Sequence, residues 1–181
     1  MSEMLRRALQ ARRIIIAAAV IIPVLGIATF IHSAKRVTSA ISSDPIFASS
    51  FKDFDRKLQP LAQWRGKVTL VYFWATWCKP CRTEVPALIA FYDKYRNRDL
   101  AIVGIAIDQT DRVRRFAEEY KINYPVLIGG NDALDLARRM GNGIGGLPFL
   151  VVIDRKGSLV STQLGQFADG LLERVVAPLL S

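Results

Sequence analysis

"FWATWCKPCRTEVP", Phe73 to Pro86, contains the only two cysteines of a 181-residue chain, with two residues between them. It overlaps "VTLVYFW" (Val68 to Trp74), whose β-branched and aromatic residues predict a buried strand. Downstream, Val85, Leu88, Ile89 and Tyr92 recur at the i, i+3, i+4, i+7 spacing of a helix face. The thiols therefore stand where a strand gives way to the first turn of a helix. A thiol pair at such a junction has three uses: a metal clamp, a structural staple, or a dithiol that opens and closes.

Structural zinc takes four N or S donors, and the chain offers two Cys and one His, His32, remote in sequence. Two thiolates suit Cu(I), yet from residue 41 onward there is no His and only Met140 to complete a copper site. No metal and no cofactor is expected. A bridge between residues three apart closes a very small loop, and the entropic benefit of a disulfide grows with loop size, so it is a poor staple. The working dithiol remains. With Cys78 as the helix cap, Lys79 and Pro80 open the helix, and Pro80 lacks an N–H that the first turn would leave unpaired. The free N–H groups and positive helix end favour a Cys78 thiolate. Lys79 either adds a tuning cation or is a solvated surface charge. Cys81, at i+3, lies on the same face within bonding reach. Cys78 is the expected nucleophile and Cys81 the resolving thiol.

Outward from this junction the pattern alternates. "LAIVGIAI" (Leu100 to Ile107) reads as a second buried strand, and Val113, Phe116, Ala117 and Tyr120 as a second helix stripe. "YPVLI" (Tyr124 to Ile128) predicts a short strand and Ala133 to Met140 a helix. "FLVVID" (Phe149 to Asp154) and "SLVSTQL" (Ser158 to Leu164) flank "RKG" as a hairpin. Leu171, Leu172, Val175, Val176 and Leu179 share one face of a closing helix. The fold class is α/β: a central mixed sheet with helices on both faces, over residues 46–181. "GNGIGG" (Gly141 to Gly146) precedes a strand rather than opening a helix, so it is a loop and not a phosphate cradle.

The N-terminal part differs in kind. Residues 14–31, "IIIAAAVIIPVLGIATFI", carry no charge. As a helix they extend ~27 Å, close to the ~30 Å of a hydrocarbon core. Arg6, Arg7, Arg12 and Arg13 precede the run against Glu3 alone, and Lys35 and Arg36 follow it. The heavier cationic flank stays inside. The expectation is a cytoplasmic segment 1–13, a single-pass transmembrane anchor 14–31, a Ser-rich linker 32–45 and an exported domain in the periplasm or its equivalent. The alternative is a cleaved signal peptide with a weak site at "VTSA" (Val37 to Ala40). About half of the formal +9 charge lies in the first 40 residues. What remains is a mild, solvated excess rather than a nucleic-acid footprint.

"FWATWCKPC" with "RTEVPAL" and "GGLPFLVVIDRKG" resembles the membrane-anchored thioredoxin-like thiol–disulfide oxidoreductases of bacteria, the group of the TlpA/ResA-like cytochrome c biogenesis reductases. The resemblance implies a thioredoxin fold with an insertion, here Asp108 to Met140, between the first βαβ unit and the terminal hairpin. It implies that Pro148 is a cis-proline beside the dithiol and that Leu147 offers its backbone to an extended substrate. Trp77 matches the family's aromatic lid, and Pro86 its helix-kinking proline. Tyr72 stands where many cytoplasmic relatives place a buried Asp that takes the proton of the resolving cysteine. Asp108, or its neighbour Gln109, matches an acid used by some exported relatives. Glu84 is a second candidate acceptor, or simply a carboxylate favoured by the helix's positive end.

By the same resemblance, the substrates are disulfides of exported proteins, with apocytochrome c the leading one and a membrane electron donor recharging the dithiol. The reverse direction, disulfide donation, uses the same residues. Copper or haem carriage during cytochrome or oxidase assembly is a third reading.

Overall fold

The computed structural model describes residues 42–181. The expected segment 1–13, the span 14–31 and most of the linker lie outside the described residues. Among the described residues no helix is long and apolar enough to cross a membrane. Ser43 to Pro45, read from the sequence as the end of the linker, lie against the domain. Ser43 is buried and its hydroxyl donates to the Gly157 carbonyl, and helix α1 runs Asp44–Phe47.

A seven-stranded sheet has the order β2-β1-β5-β4-β3-β6-β7. Its strands are β1 Ser50–Lys52, β2 Leu58–Pro60, β3 Val68–Trp74, β4 Leu100–Ala106, β5 Val126–Ile128, β6 Phe149–Ile153 and β7 Leu159–Leu164. β3, β4 and β5 are parallel; β6 pairs antiparallel with β3, β7 with β6, and β1 with β5. Helices α2 (Lys79–Tyr95), α3 (Thr110–Tyr120), α4 (Gly130–Arg139) and α5 (Leu171–Val175) complete the chain. This is the thioredoxin-like mixed α/β fold. The insertion expected over residues 108–140 contributes α3, β5 and α4, and β5 joins the sheet beside β4.

Every residue of β3 and β4 is buried, as continuous apolar runs between two helical layers require. Alternation along β3 divides the core. Leu70, Tyr72 and Trp74 face the layer of α2, α3 and α5, with Val85, Leu88, Phe91 and Phe116. Val71 and Phe73 face α1 and α4, with Ala133, Leu136 and Ala137. The "RKG" hairpin turns as expected. Asp154 accepts from the N–H groups of Lys156 and Ser158, and Gly157 supplies the positive φ of 82° that closes it.

Two elements differ from the sequence expectation. The hairpin β1–β2 forms one edge of the sheet although its strands have only three residues each and no alternating period. Its turn is set instead by Asp53, whose carboxylate accepts from the N–H groups of Asp55 and Lys57. The closing helix is also shorter than its stripe: α5 stops at Val175, and a 3-10 turn, Ala177–Leu180, follows. Pro178 has no N–H to continue an α-helix, and the tighter turn buries Leu180 rather than Leu179.

Gly104 of β4 lies beneath Trp74: a Cβ there would meet Trp74 Nε1 at 3.0 Å and Tyr124 Cε2 at 3.3 Å. Gly104→Ala is expected to destabilise the fold by about 1–3 kcal/mol through overpacking and to change the near-UV dichroism of Trp74. An unchanged denaturation midpoint would show that the tryptophan yields without cost.

Candidate active site

The pairing registers bring distant segments to one end of the sheet. Trp74 is level with Ala106, Phe73 with Phe149, and Phe149 with Leu164. The loop Ala75–Trp77 leaving β3, Asp108 after β4, Leu147–Pro148 before β6 and Gly165–Phe167 after β7 therefore converge.

Here Cys78 caps α2 with extended backbone (φ −78°, ψ 104°), and Pro80 lies in the first turn. Cys78 and Cys81 are joined as a disulfide with their Cα atoms 5.3 Å apart. The Cys81 N–H donates to Cys78 Sγ at 3.3 Å, so a first-turn donor with no helical partner is aimed at that sulfur. Cys78 keeps 5% of its surface exposed and Cys81 none. Both cysteines are therefore buried, Cys78 with a sliver of exposed surface and Cys81 with none, which is less than the open exposure that a place at a helix start implies.

Beneath the disulfide lies a buried carboxylate. Glu84 follows Cys81 by one turn on the inward face of α2 and is only 3% exposed. The Tyr72 hydroxyl donates to Glu84 Oε2 at 2.7 Å, and the Phe167 N–H donates to Oε1 at 2.5 Å. Burial pushes the Glu84 carboxyl above the usual carboxylate range, against the pull of those two donors. Burial, and then the neighbouring Glu84 charge, push the Tyr72 phenol far up, so it keeps its proton and acts as a donor. The Tyr72 oxygen is also 3.4 Å from the Cys81 carbonyl oxygen, tying the pair to the cysteine's own backbone. Glu84 lies on the buried side of α2 with Cys81, Val85 and Leu88. That spacing was the available signal. Nothing in the sequence marked the contribution of Phe167, which acts through its backbone.

Asp108 is committed elsewhere. Its Oδ2 accepts from the Thr76 N–H at 3.1 Å and from the Thr76 hydroxyl, and its Oδ1 accepts from the Gln109 N–H at 2.7 Å. It staples the end of β4 to the loop that delivers Cys78. Asp108→Ala is expected to cost about 1–3 kcal/mol, because the half-buried Thr76 donors lose their acceptor. It should also loosen the loop, read as faster alkylation of reduced Cys78. Unchanged stability and alkylation would remove the staple.

Across the site, the Leu147–Pro148 peptide bond is cis, with Leu147 half-buried and Pro148 buried. Asn142, fully buried, holds the loop before it: its Nδ2 donates to the Gly146 carbonyl at 2.8 Å and its Oδ1 accepts from the Gly146 N–H at 3.1 Å. The loop presents Ile144 at 83% exposure. Trp77 is 65% exposed beside Cys78, and Lys79 is exposed between the cysteines. Pro86 lies inside α2 without ending it.

A dithiol at the start of a helix, on this sheet and with a cis-proline strand at the same end, defines a thioredoxin-like thiol–disulfide oxidoreductase. Residues 43–162 match the AhpC/TSA family. The thiol-disulfide oxidoreductase ResA of Bacillus thuringiensis is 32% identical over 123 residues, spanning 67% of this chain and 68% of that protein. The thioredoxin-like protein YneN of Bacillus subtilis is 29% identical over 129 residues, spanning 69% and 72%. Among solved structures, a thioredoxin-family thiol:disulfide interchange protein from Chlorobium tepidum TLS matches with a TM-score of 0.66 at 30% identity, covering 74% of this chain and 93% of that one. The chain belongs to the AhpC/TSA family and, within it, to the TlpA/ResA-like thiol–disulfide oxidoreductases.

Proposed function

We propose that the chain is a membrane-tethered oxidoreductase that works outside the cytoplasm and reduces disulfides in exported proteins. The observation that carries the direction of attack is the asymmetry of the two cysteines: the Cys78 sulfur is faced by a helix N–H, and Cys78 keeps a little exposed surface where Cys81 keeps none. In the reduced protein the Cys78 thiolate attacks a substrate disulfide, forming a mixed disulfide and releasing one substrate thiolate. Cys81 gives up its proton and attacks Cys78 Sγ. The second substrate thiol leaves, two electrons have passed to the substrate, and the Cys78–Cys81 bond has formed. Glu84 is the proton acceptor for Cys81, being one turn away and raised by burial. Asp108 shapes the loop instead. The backbone of Leu147, ahead of Pro148, aligns the substrate strand beneath Trp77.

The charge-free run at residues 14–31 supports the tether, with residues 1–13 cytoplasmic and the domain exported. Apocytochrome c is the leading substrate because its haem-binding thiols must be reduced before ligation, and a membrane electron donor must then re-reduce Cys78–Cys81. Cys81→Ala is expected to retain its natural partner as a mixed disulfide through Cys78, and identifying that partner tests the substrate. A redox titration tests the direction. A potential near about −270 mV fits a reductase, whereas one near about −120 mV would make the protein a disulfide donor. Stoichiometric copper retention by the reduced protein, without exchange activity, would replace both with carriage.

A further inference from the structure

The hydroxyl of Tyr72 has two acceptors and one hydrogen. Its oxygen lies 2.7 Å from Glu84 Oε2 and 3.4 Å from the carbonyl oxygen of Cys81. Turning about the C–O bond carries the hydrogen from one acceptor to the other. Nothing else of Tyr72 has to move: the residue is fully buried in β3, level with Gly104 and Leu150 on the neighbouring strands. Burial holds the phenol well above its ordinary pKa, so Tyr72 exchanges hydrogen bonds and not charge.

The other donor to Glu84 is of the opposite kind. The Phe167 N–H, 2.5 Å from Oε1, belongs to the main chain and cannot turn. The two residues before it are tied down as well. The Gly165 N–H donates to the Pro148 carbonyl at 2.8 Å, and the Gln166 side chain donates to Thr83 Oγ1 at 3.3 Å. Among the described residues Glu84 is the one buried side chain that carries a charge. One of its oxygens faces a fixed donor, and the other faces a hydroxyl that either donates or accepts.

A buried carboxyl that takes a proton changes what it requires of its neighbours. Ionised, it only accepts; neutral, it carries an O–H that needs an acceptor. We propose that Tyr72 is the positioning residue that serves both forms. Its hydroxyl donates to ionised Glu84, then turns to the Cys81 carbonyl and accepts from neutral Glu84, so that Oε2 is the oxygen that takes the Cys81 proton. The inference rests on Glu84 acting as that acceptor, as proposed above. In the step, the Cys81 S–H proton passes to Glu84 Oε2 and the Cys81 thiolate attacks Cys78 Sγ. The bond between Cys78 and the substrate breaks, the Cys78–Cys81 bond forms, and the substrate sulfur leaves as a thiolate. Glu84 then yields its proton to that thiolate, and the Tyr72 hydrogen returns to Oε2.

The test follows the two steps separately in the full chain, reduced and freed of reductant, in a single turnover with a disulfide peptide. Tyr72→Phe keeps the ring and removes the hydroxyl. Release of the first substrate thiol should keep its rate. Release of the second should slow about tenfold or more, the scale of a lost hydrogen bond to a charged group. If the phenylalanine protein fails to fold, a ring-fluorinated tyrosine at position 72 gives the same test, because its oxygen accepts less well and only the second release should slow. The infrared carboxyl band of neutral Glu84 is a readout that a merely structural role would not move. Identified in acid by its loss in Glu84→Gln, the band should shift to higher frequency when its O–H loses the Tyr72 acceptor. An unmoved band, an unchanged second step, or equal slowing of both steps would overturn the inference. A second step as fast in Glu84→Gln as in the native protein would instead remove Glu84 as the acceptor on which it rests.

Discussion

Cys78→Ala is expected to abolish disulfide reduction, lowering turnover on the order of a thousandfold or more, as loss of a nucleophile does. Cys81→Ala should also stop turnover but leave the first step intact. The two variants are therefore equal in a steady-state assay and opposite in a single-turnover one. Only the Cys81→Ala protein should release one equivalent of substrate thiol and migrate as a mixed disulfide. The difference follows in part from burial, since Cys78 keeps 5% of its surface exposed and Cys81 keeps none. It follows also from the N–H that Cys81 directs at Cys78 Sγ, which favours the thiolate there. Mixed-disulfide formation through Cys81 in the Cys78→Ala protein would reverse the assignment.

The second large effect belongs to Glu84. Because burial raises its pKa, the folded protein retains a proton that the unfolded chain releases near about pH 4.3. Between those two values the native state binds more protons, so stability falls as pH rises. The contribution is fully present below the unfolded value and lost as pH climbs through the raised folded one. Glu84→Gln should flatten that part of the profile in denaturant titrations across the acidic to neutral range. In kinetics the same change should slow the Cys81 attack about a hundredfold, the lower end for a lost acid–base group. The mixed disulfide would then accumulate even with Cys81 in place. A profile with its slope intact, together with no accumulation, would remove Glu84 from the reaction.

What could be read from the sequence depended on periodicity. β3, β4, the terminal hairpin and the helices α2 to α4 each display their apolar period or their turn residues within one continuous window, and they appear within a few residues of expectation. The dithiol was legible because Cys78, Pro80 and Cys81 act through local helix geometry. The β1–β2 hairpin was not, because its strands are too short for a period and a single Asp side chain organises its turn. The partners of Glu84 were hidden for another reason. Tyr72 lies twelve residues before it and Phe167 far beyond, and only the sheet registers bring them to one place. Thr76 and Asp108 meet in the same way, across thirty-two residues.

Asn142 holds the loop that leads into the cis-proline. Because its amide closes on both backbone groups of Gly146 from a fully buried position, the shape of that turn is held from inside and owes nothing to the side chain at its crest. Residue 144 is therefore a natural handle. A photo-activatable or fluorescent group installed there would sit a few residues from the cis-proline strand and record the docking of a client protein while leaving the sulfur chemistry alone.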